Sequence, residues 1–222
     1  MEFSKKNQWW NKEGDYKILH RINDLRIKFI LSKVKKSIKK KSILDIGCGG
    51  GLTSEPLAKK GAEVIGIDEN NNNLKQAKCH ALKKSLKINY INTSFGNFIK
   101  NNKKKFDLIL CLEVIEHVDN YKKTLEQITK IIKPGGFLIL STINRSLKSL
   151  IFAKYIAEYV LNWIPIGTHE FNKFLKPSEI SNFLEMKNLK IVDIKGLEFN
   201  PIVNQWSLTN NTNINYFIVA KK

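Results

Sequence analysis

The sequence predicts an α/β protein built on a parallel, doubly wound sheet, and three observations carry that expectation. Ser42 to Gly51 reads S-I-L-D-I-G-C-G-G-G, a short apolar strand with an acid at Asp45 and then a turn made almost wholly of glycine. Strand-like apolar runs recur at Glu63–Ile67, Phe106–Leu112 and Phe137–Ser141, and Phe106–Leu112 has the continuous apolar character of a strand buried on both faces. Helix-like stretches alternate with these strands, the pattern of a parallel sheet covered on both sides.

At 222 residues the chain is expected to form one domain with a sizeable core. Residues 1–40 form an arm and a helix, 42–141 a ligand-binding core, 146–176 an apolar insertion, and 177–222 the C-terminal part of the sheet. Trp9 and Trp10 stand together in a polar segment and are expected to staple the arm to the domain or to form part of a lid. Asn23–Lys36 follows as a helix, with Asn23 or Asp24 as its cap and Leu25, Phe29, Ile30 and Val34 on one face. Arg26, in its first turns, carries a forked donor able to grip a ligand carboxylate. A helix over Leu52–Lys60 ends at Gly61, a C-cap glycine. Next come a helix over Asn72–Ser85, a strand over Ile88–Asn92, and a loop over Thr93–Asn97 that carries Phe95. A helix over Tyr121–Ile132 stops at K-P-G-G.

Ser146–Pro165 has helical character but almost no polar face; Lys154, Glu158 and Asn162 line up on an otherwise apolar or aromatic circumference. Such a helix is buried on both sides, or meets lipid, a partner or a greasy substrate. The chain ends with a loop bearing His169, a helix over Ser178–Lys187, a strand over Lys190–Lys195, an Asn-rich loop and a strand over Asn215–Ala220.

Composition narrows the classes. With 42% hydrophobic and 26% charged residues the chain is globular. Cys48, Cys79 and Cys111 lack metal-ligand spacing, which fits a reducing compartment without disulfides. The N-terminus shows no secretory pattern, and no run of about 20 apolar residues predicts a transmembrane helix. The net charge of +18 suits an anionic surface, but lysine and asparagine are spread through the whole chain, as a coding bias would leave them.

The glycine turn specifies its ligand. The dinucleotide fingerprint is G-x-G-x-x-G; here Gly47, Gly49 and Gly51 give G-x-G-x-G, with Asp45 just before. A carboxylate there repels a pyrophosphate and suits a cationic ligand such as S-adenosylmethionine, which carries a sulfonium and an amino group. Asp68, ending the second strand, is placed to accept both ribose hydroxyls. After strand four, Glu113, Glu116 and His117 form E-x-x-E-H. They either bind Mg²⁺ through oxygen-rich ligands or use His117 as a general base oriented by a carboxylate such as Glu113. An adenine N6-methyltransferase would carry N/D-P-P-Y/F where this chain has C-L-E-V, so nucleic acid is not expected as a partner. A non-catalytic basic binding module leaves the glycine turn and the acidic cluster without purpose.

L-D-I-G-C-G-G-G, V-I-G-I-D, C-L-E-V-I-E-H-V and K-P-G-G resemble the class I S-adenosylmethionine-dependent methyltransferases. W-W-N-K-E-G-D-Y-K-I-L-H-R-I-N-D-L-R, S-T-I-N-R-S-L-K-S, A-E-Y-V-L-N-W-I-P-I-G-T-H-E, K-F-L-K-P-S-E and G-L-E-F-N-P resemble the ubiquinone biosynthesis O-methyltransferase family, over nearly the whole chain. The resemblance implies a Rossmann-like, seven-stranded, mostly parallel sheet with an antiparallel last strand and helices on both faces. It implies O-methylation of the phenolic hydroxyls of 2-polyprenyl-6-hydroxyphenol and 3-demethylubiquinol. Arg26, Gly47, Asp68 and Leu112 match the family's cofactor contacts. Mitochondrial members are associated with Mg²⁺ at the positions of Glu113, Glu116 and His117, whereas some bacterial members need no metal. Glu170 stands where Asp is common in the family, and Asp24 where Pro is common. A polyprenyl substrate implies a bacterial-type cytoplasmic enzyme that visits an anionic membrane surface, with Ser146–Pro165 as the contact, and other enzymes of the ubiquinone pathway as candidate partners.

Overall fold

The computed structural model describes residues 9–34, 37–146, 149 and 173–222. These form one eight-stranded sheet of order β3-β2-β1-β4-β5-β8-β6-β7. The strands are β1 (Ser42–Ile46), β2 (Glu63–Asp68), β3 (Asn89–Asn92), β4 (Phe106–Leu112), β5 (Ile132–Ile143), β6 (Lys190–Asn200), β7 (Gln205–Thr209) and β8 (Asn215–Lys221). Strands β1 to β5 pair in parallel. Strand β8 is antiparallel to both β5 and β6, and β7 pairs antiparallel with β6.

The doubly wound class is therefore as expected, with one difference of detail: the sheet has eight strands where seven were expected. Part of the Asn-rich stretch read as loop extends β6 to Asn200 and adds β7 at the edge. Phe199 pairs with Trp206 and Leu197 with Leu208, so aromatic and apolar cross-strand pairs hold the added strand.

Alternation along the central strands divides the core between the two faces. Leu44, Ile109, Leu138 and Ile218 point to one side, against α5 (Tyr121–Lys130) and α6 (Pro177–Met186) through Leu125, Ile128, Ile180 and Leu184. Ile43, Leu108, Leu110 and Val219 point to the other, against α1 (Lys17–Lys33) and α2 (Ser54–Lys59) through Ile27, Ile30 and Leu57. The remaining α-helices among the described residues are α3 (Asn71–Lys83) and α4 (Phe95–Asn101).

Two boundaries differ from expectation for identifiable reasons. Helix α1 starts at Lys17, well before Asn23, because the Asn23 amide does not cap it: its Nδ2 donates to the Leu52 carbonyl at 2.8 Å and ties α1 to the glycine turn. The expected loop over Thr93–Asn97 ends at Ser94, whose hydroxyl accepts the Asn97 N–H at 3.2 Å and starts α4, so Phe95 packs on the core. Among the described residues no helix is long and apolar enough to cross a membrane.

Candidate active site

The order β2-β1-β4-β5 places the reversal of strand order between β1 and β4, where open α/β sheets bind ligands beyond their carboxyl ends. The glycine turn leaves β1 there and the acidic segment leaves β4. Gly47 has a φ of +66°, and a Cβ on it would lie 2.4 Å from the Val114 side chain, so the two loops meet at this glycine. The turn is fixed from below by Cys48 N–H donating to the Ile67 carbonyl at 3.0 Å, and from beside by Gly49 N–H donating to Asp68 Oδ2 at 2.9 Å. Asp68 Oδ1 accepts the Asn70 N–H at 2.8 Å. Asp68 is thus held at both oxygens at the mouth of the turn, each oxygen retaining a lone pair for a further donor.

Asp45 is buried beneath the turn, 3% exposed, and accepts a hydrogen bond from Ser54 Oγ at 2.6 Å. Burial pushes its carboxyl up to about 6, against the pull of Ser54 and of the Arg26 guanidinium. Arg26, expected from the sequence alone to be a candidate carboxylate grip, is 6% exposed. Its Nε and Nη2 are buried without a hydrogen-bond partner. Burial lowers its pKa while the charges of Glu113 and Asp45 pull it back up, which places the cation among the site's carboxylates. A buried, charged fork with donors to spare is costly unless an anionic group pairs with it.

Leu112 closes β4, buried. Glu113 follows with a φ of +55°, a left-handed conformation that a non-glycine residue seldom adopts and that accumulates at functional sites. Its carboxylate is clamped by Ser141 Oγ at 2.6 Å and by Asn215 Nδ2 at 3.1 and 3.3 Å. Ile115–His117 form one 3-10 turn. Glu116 is buried; its Oε2 accepts from Thr142 Oγ1 at 2.9 Å, and its Oε1 has no donor. Burial first, and the neighbouring Glu113 charge second, push the Glu116 carboxyl well above the usual range.

The Mg²⁺ expectation rests on Glu113, Glu116 and His117. Glu113 and Glu116 come together, but His117 lies exposed at the end of the turn. Among the described residues no group of three or more His, Cys, Asp or Glu side chains is placed to hold a metal ion. Ser141 and Asn215 already donate to Glu113, and Thr142 to Glu116.

Trp9 packs on the turn from outside: a Cβ on Gly49 would meet its ring at 2.5 Å and one on Gly50 at 2.3 Å. His20 Nε2 donates to the Trp9 carbonyl at 2.7 Å. His169 and residues 150–165 of the apolar segment lie outside the described residues. Ser54, Ser141, Thr142 and Asn215 had no signal in the sequence pattern; the start of α2 brings Ser54 to Asp45, and the sheet brings the other three to Glu113 and Glu116.

A family model described as "Methyltransferase domain" matches residues 14–194. The ubiquinone biosynthesis O-methyltransferase of Rickettsia typhi is 46% identical over 97% of this chain and 88% of its own length. That of Pelagibacter ubique is 42% identical over 97% of this chain and 93% of its own. The chain belongs to the ubiquinone biosynthesis O-methyltransferase family. Its fold is that of the class I S-adenosylmethionine-dependent methyltransferases. The magnesium protoporphyrin IX methyltransferase of Synechocystis PCC 6803, solved with bound S-adenosylhomocysteine, superposes with a TM-score of 0.66 over 94% of this chain and 85% of that one, at 17% identity. A methyltransferase from Archaeoglobus fulgidus superposes with the same score over 93% and 100%, at 21% identity. As a family member the chain is an S-adenosylmethionine-dependent O-methyltransferase, and the nucleic-acid and non-catalytic alternatives are not favoured.

Proposed function

We propose that this O-methyltransferase transfers the methyl group of S-adenosylmethionine to phenolic oxygens of polyprenylated catechol-type compounds, 2-polyprenyl-6-hydroxyphenol and 3-demethylubiquinol. The observation that carries the cofactor pose is the buried Arg26 fork with two unpartnered donors. Arg26 pairs with the cofactor carboxylate, Asp45 supports the ammonium end, Gly47 and Gly49 let the backbone approach, and Asp68 takes the ribose hydroxyls. Leu112 contacts the cofactor through its backbone at the end of β4.

The sulfonium is already activated, so the protein's work is to bring the acceptor oxygen in line with the methyl group and to remove a proton. The phenolic oxygen attacks the methyl carbon, the carbon–sulfur bond breaks, and S-adenosylhomocysteine leaves with the electron pair on sulfur. The phenolic proton passes to His117, the exposed imidazole at this edge, and Glu113, clamped by Ser141 and Asn215, fixes the segment that carries it. No step runs through a cation.

A polyprenyl tail stays in a bilayer, so the enzyme works as a cytoplasmic protein attached to an anionic membrane surface, where other enzymes of the same pathway meet the same substrate. The charge of +18 supports that attachment. The test is methyl transfer from labelled S-adenosylmethionine to a short-chain demethylubiquinol, with and without EDTA, alongside co-sedimentation with anionic vesicles. EDTA-resistant transfer that is lost in His117→Ala supports the proposal. Transfer abolished by EDTA and restored by Mg²⁺ refutes the metal-free mechanism, and absence of transfer with cofactor still bound refutes the acceptor.

A further inference from the structure

The tryptophan pair ahead of α1 is tied down more heavily than a packing staple requires. The Trp9 indole Nε1 donates to Asn73 Oδ1 at 2.8 Å, and its backbone N–H donates to Gln76 Oε1 at 2.9 Å. Both partners sit on α3, one turn apart. The ring stacks on Tyr16, centroids 3.8 Å apart and planes within 10°. Trp10 donates from Nε1 to the Gly50 carbonyl at 3.1 Å and stacks on His80 at 3.4 Å.

The placement of Trp9 is informative. At one end its ring lies on Gly49 and Gly50; at the other it bonds Asn73 in the first turn of α3. Asp68 spans the same gap, one oxygen on Gly49 N–H and the other on Asn70 N–H. The strap therefore runs alongside the carboxylate that takes the ribose. Tyr16 reports the same proximity: burial raises its hydroxyl pKa first, and the charges of Asp15 and Asp68 raise it further. The neighbouring Trp10 lines a cavity of about 690 Å³ together with Lys17, His20, Leu52 and Glu55.

The geometry points to Trp9 as a cofactor-retaining residue: the Trp9–Tyr16 strap forms the outer wall of the ribose end of the site, and it opens to exchange S-adenosylhomocysteine for fresh S-adenosylmethionine. This rests on the cofactor pose proposed above. In many enzymes product release governs turnover, so a wall of this kind sets the rate of exchange without touching the methyl group.

The test is the dissociation rate of S-adenosylhomocysteine, followed in a chase with excess S-adenosylmethionine. It compares wild type with Trp9→Ala, Trp9→Phe and the tether double variant Asn73→Ala/Gln76→Ala. Losing the ring contact and its hydrogen bond is expected to speed dissociation about tenfold in Trp9→Ala. The tether variant, which leaves every ring in place, is expected to speed it severalfold, and Trp9→Phe to recover most of the loss. Should Trp9→Ala fail to fold, the tether variant decides. An unchanged rate in the tether and Trp9 variants overturns the inference. Tighter binding also overturns it, because the ring would then be occupying the cofactor's place. Wild type that binds no S-adenosylhomocysteine removes the cofactor pose and the strap together, whereas binding with unaltered rates removes the strap alone.

Discussion

Replacing Arg26 with methionine separates the two things this residue does. Its Nε and Nη2 are buried donors without acceptors, and each such group costs roughly 1–3 kcal/mol. Methionine fills similar volume and removes both. Against that stands the lost attraction to Asp45 and Glu113, which is cheaply absorbed. Asp45, already pushed up to about 6, sheds its charge by protonation, and Glu113 keeps Ser141 and Asn215. The net expectation is a ligand-free protein stabilised by about 2 kcal/mol, roughly 4–8 °C in Tm for a chain of this size. Cofactor binding moves the other way. Losing a charge-assisted pair to the cofactor carboxylate costs about 1.5–3 kcal/mol, a weakening of roughly 10- to 150-fold. The assay pairs urea unfolding of the ligand-free protein with titration calorimetry against S-adenosylhomocysteine and 5′-methylthioadenosine, which lacks the carboxylate. Only the first ligand should weaken. Equal weakening of both would refute the reasoning, as would a ligand-free protein destabilised by about 3 kcal/mol or more, the mark of a broken buried ion pair.

Three further outcomes follow from the same geometry. Asp45 takes up its proton at a higher pH in the folded chain (about 6) than its ordinary value of 3.8, so stability falls as pH rises through that window. Asp45→Asn is therefore expected to exceed wild type by roughly 2–4 kcal/mol at about pH 7.5 and to converge with it below about pH 4, and urea melts across that range that stay superimposed would contradict this. Asp107 behaves oppositely: burial raises its carboxyl, but bonds from Lys133, Ser42 and Lys41 outweigh that and hold it below the ordinary range. Its contribution is complete above its ordinary value and lost as pH falls below it, so Asp107→Asn should flatten the acid limb of the stability curve, and an unaltered limb would count against the cluster. Gly51 has a φ of +87°, and a Cβ there would sit 2.2 Å from Tyr90 Oη. Gly51→Ala should cost about 1–2 kcal/mol from backbone handedness alone. The clash adds to this, and Gly51→Ala/Tyr90→Phe should recover only the clash; a double variant no more stable than the single would rule the clash out.

Some of this was legible from residue order. Strands β1 and β4 lie where expected, because an apolar run bounded by turn residues carries its own limits. The carboxyl-edge site followed, since Gly47, Asp68 and Glu113 each end or follow such a strand. Where local pattern competed with a distant partner, the pattern misled. Asn23 looks like a helix cap, but its amide is taken by Leu52. Strand β7 (Q-W-S-L-T) is half exposed and set among asparagines, so nothing in its own sequence separates it from loop; its pairing with β6 does. The acidic segment looks like a three-ligand cluster in linear order, yet a single 3-10 turn carries Glu116 inward and leaves His117 outside.

The glycine turn shows why the remainder was illegible. In sequence it reads as a place where a ligand comes close to backbone. In the fold, each glycine also admits a different part of the chain. Gly47 gives room to Val114, Gly49 and Gly50 to Trp9, and Gly51 to Tyr90. Those residues come from the segment after β4, the N-terminal arm and β3, and each contact is long-range. The turn is thus a junction at which the acidic loop, the strap and the adjoining strand are held in register with Asp45 and Asp68. A side chain introduced there would disturb the cofactor site twice, by blocking the ligand's approach and by displacing the groups that surround it. The strap variants and Gly51→Ala separate these effects, because the first leave the turn's backbone intact and the second leaves the strap's tethers intact.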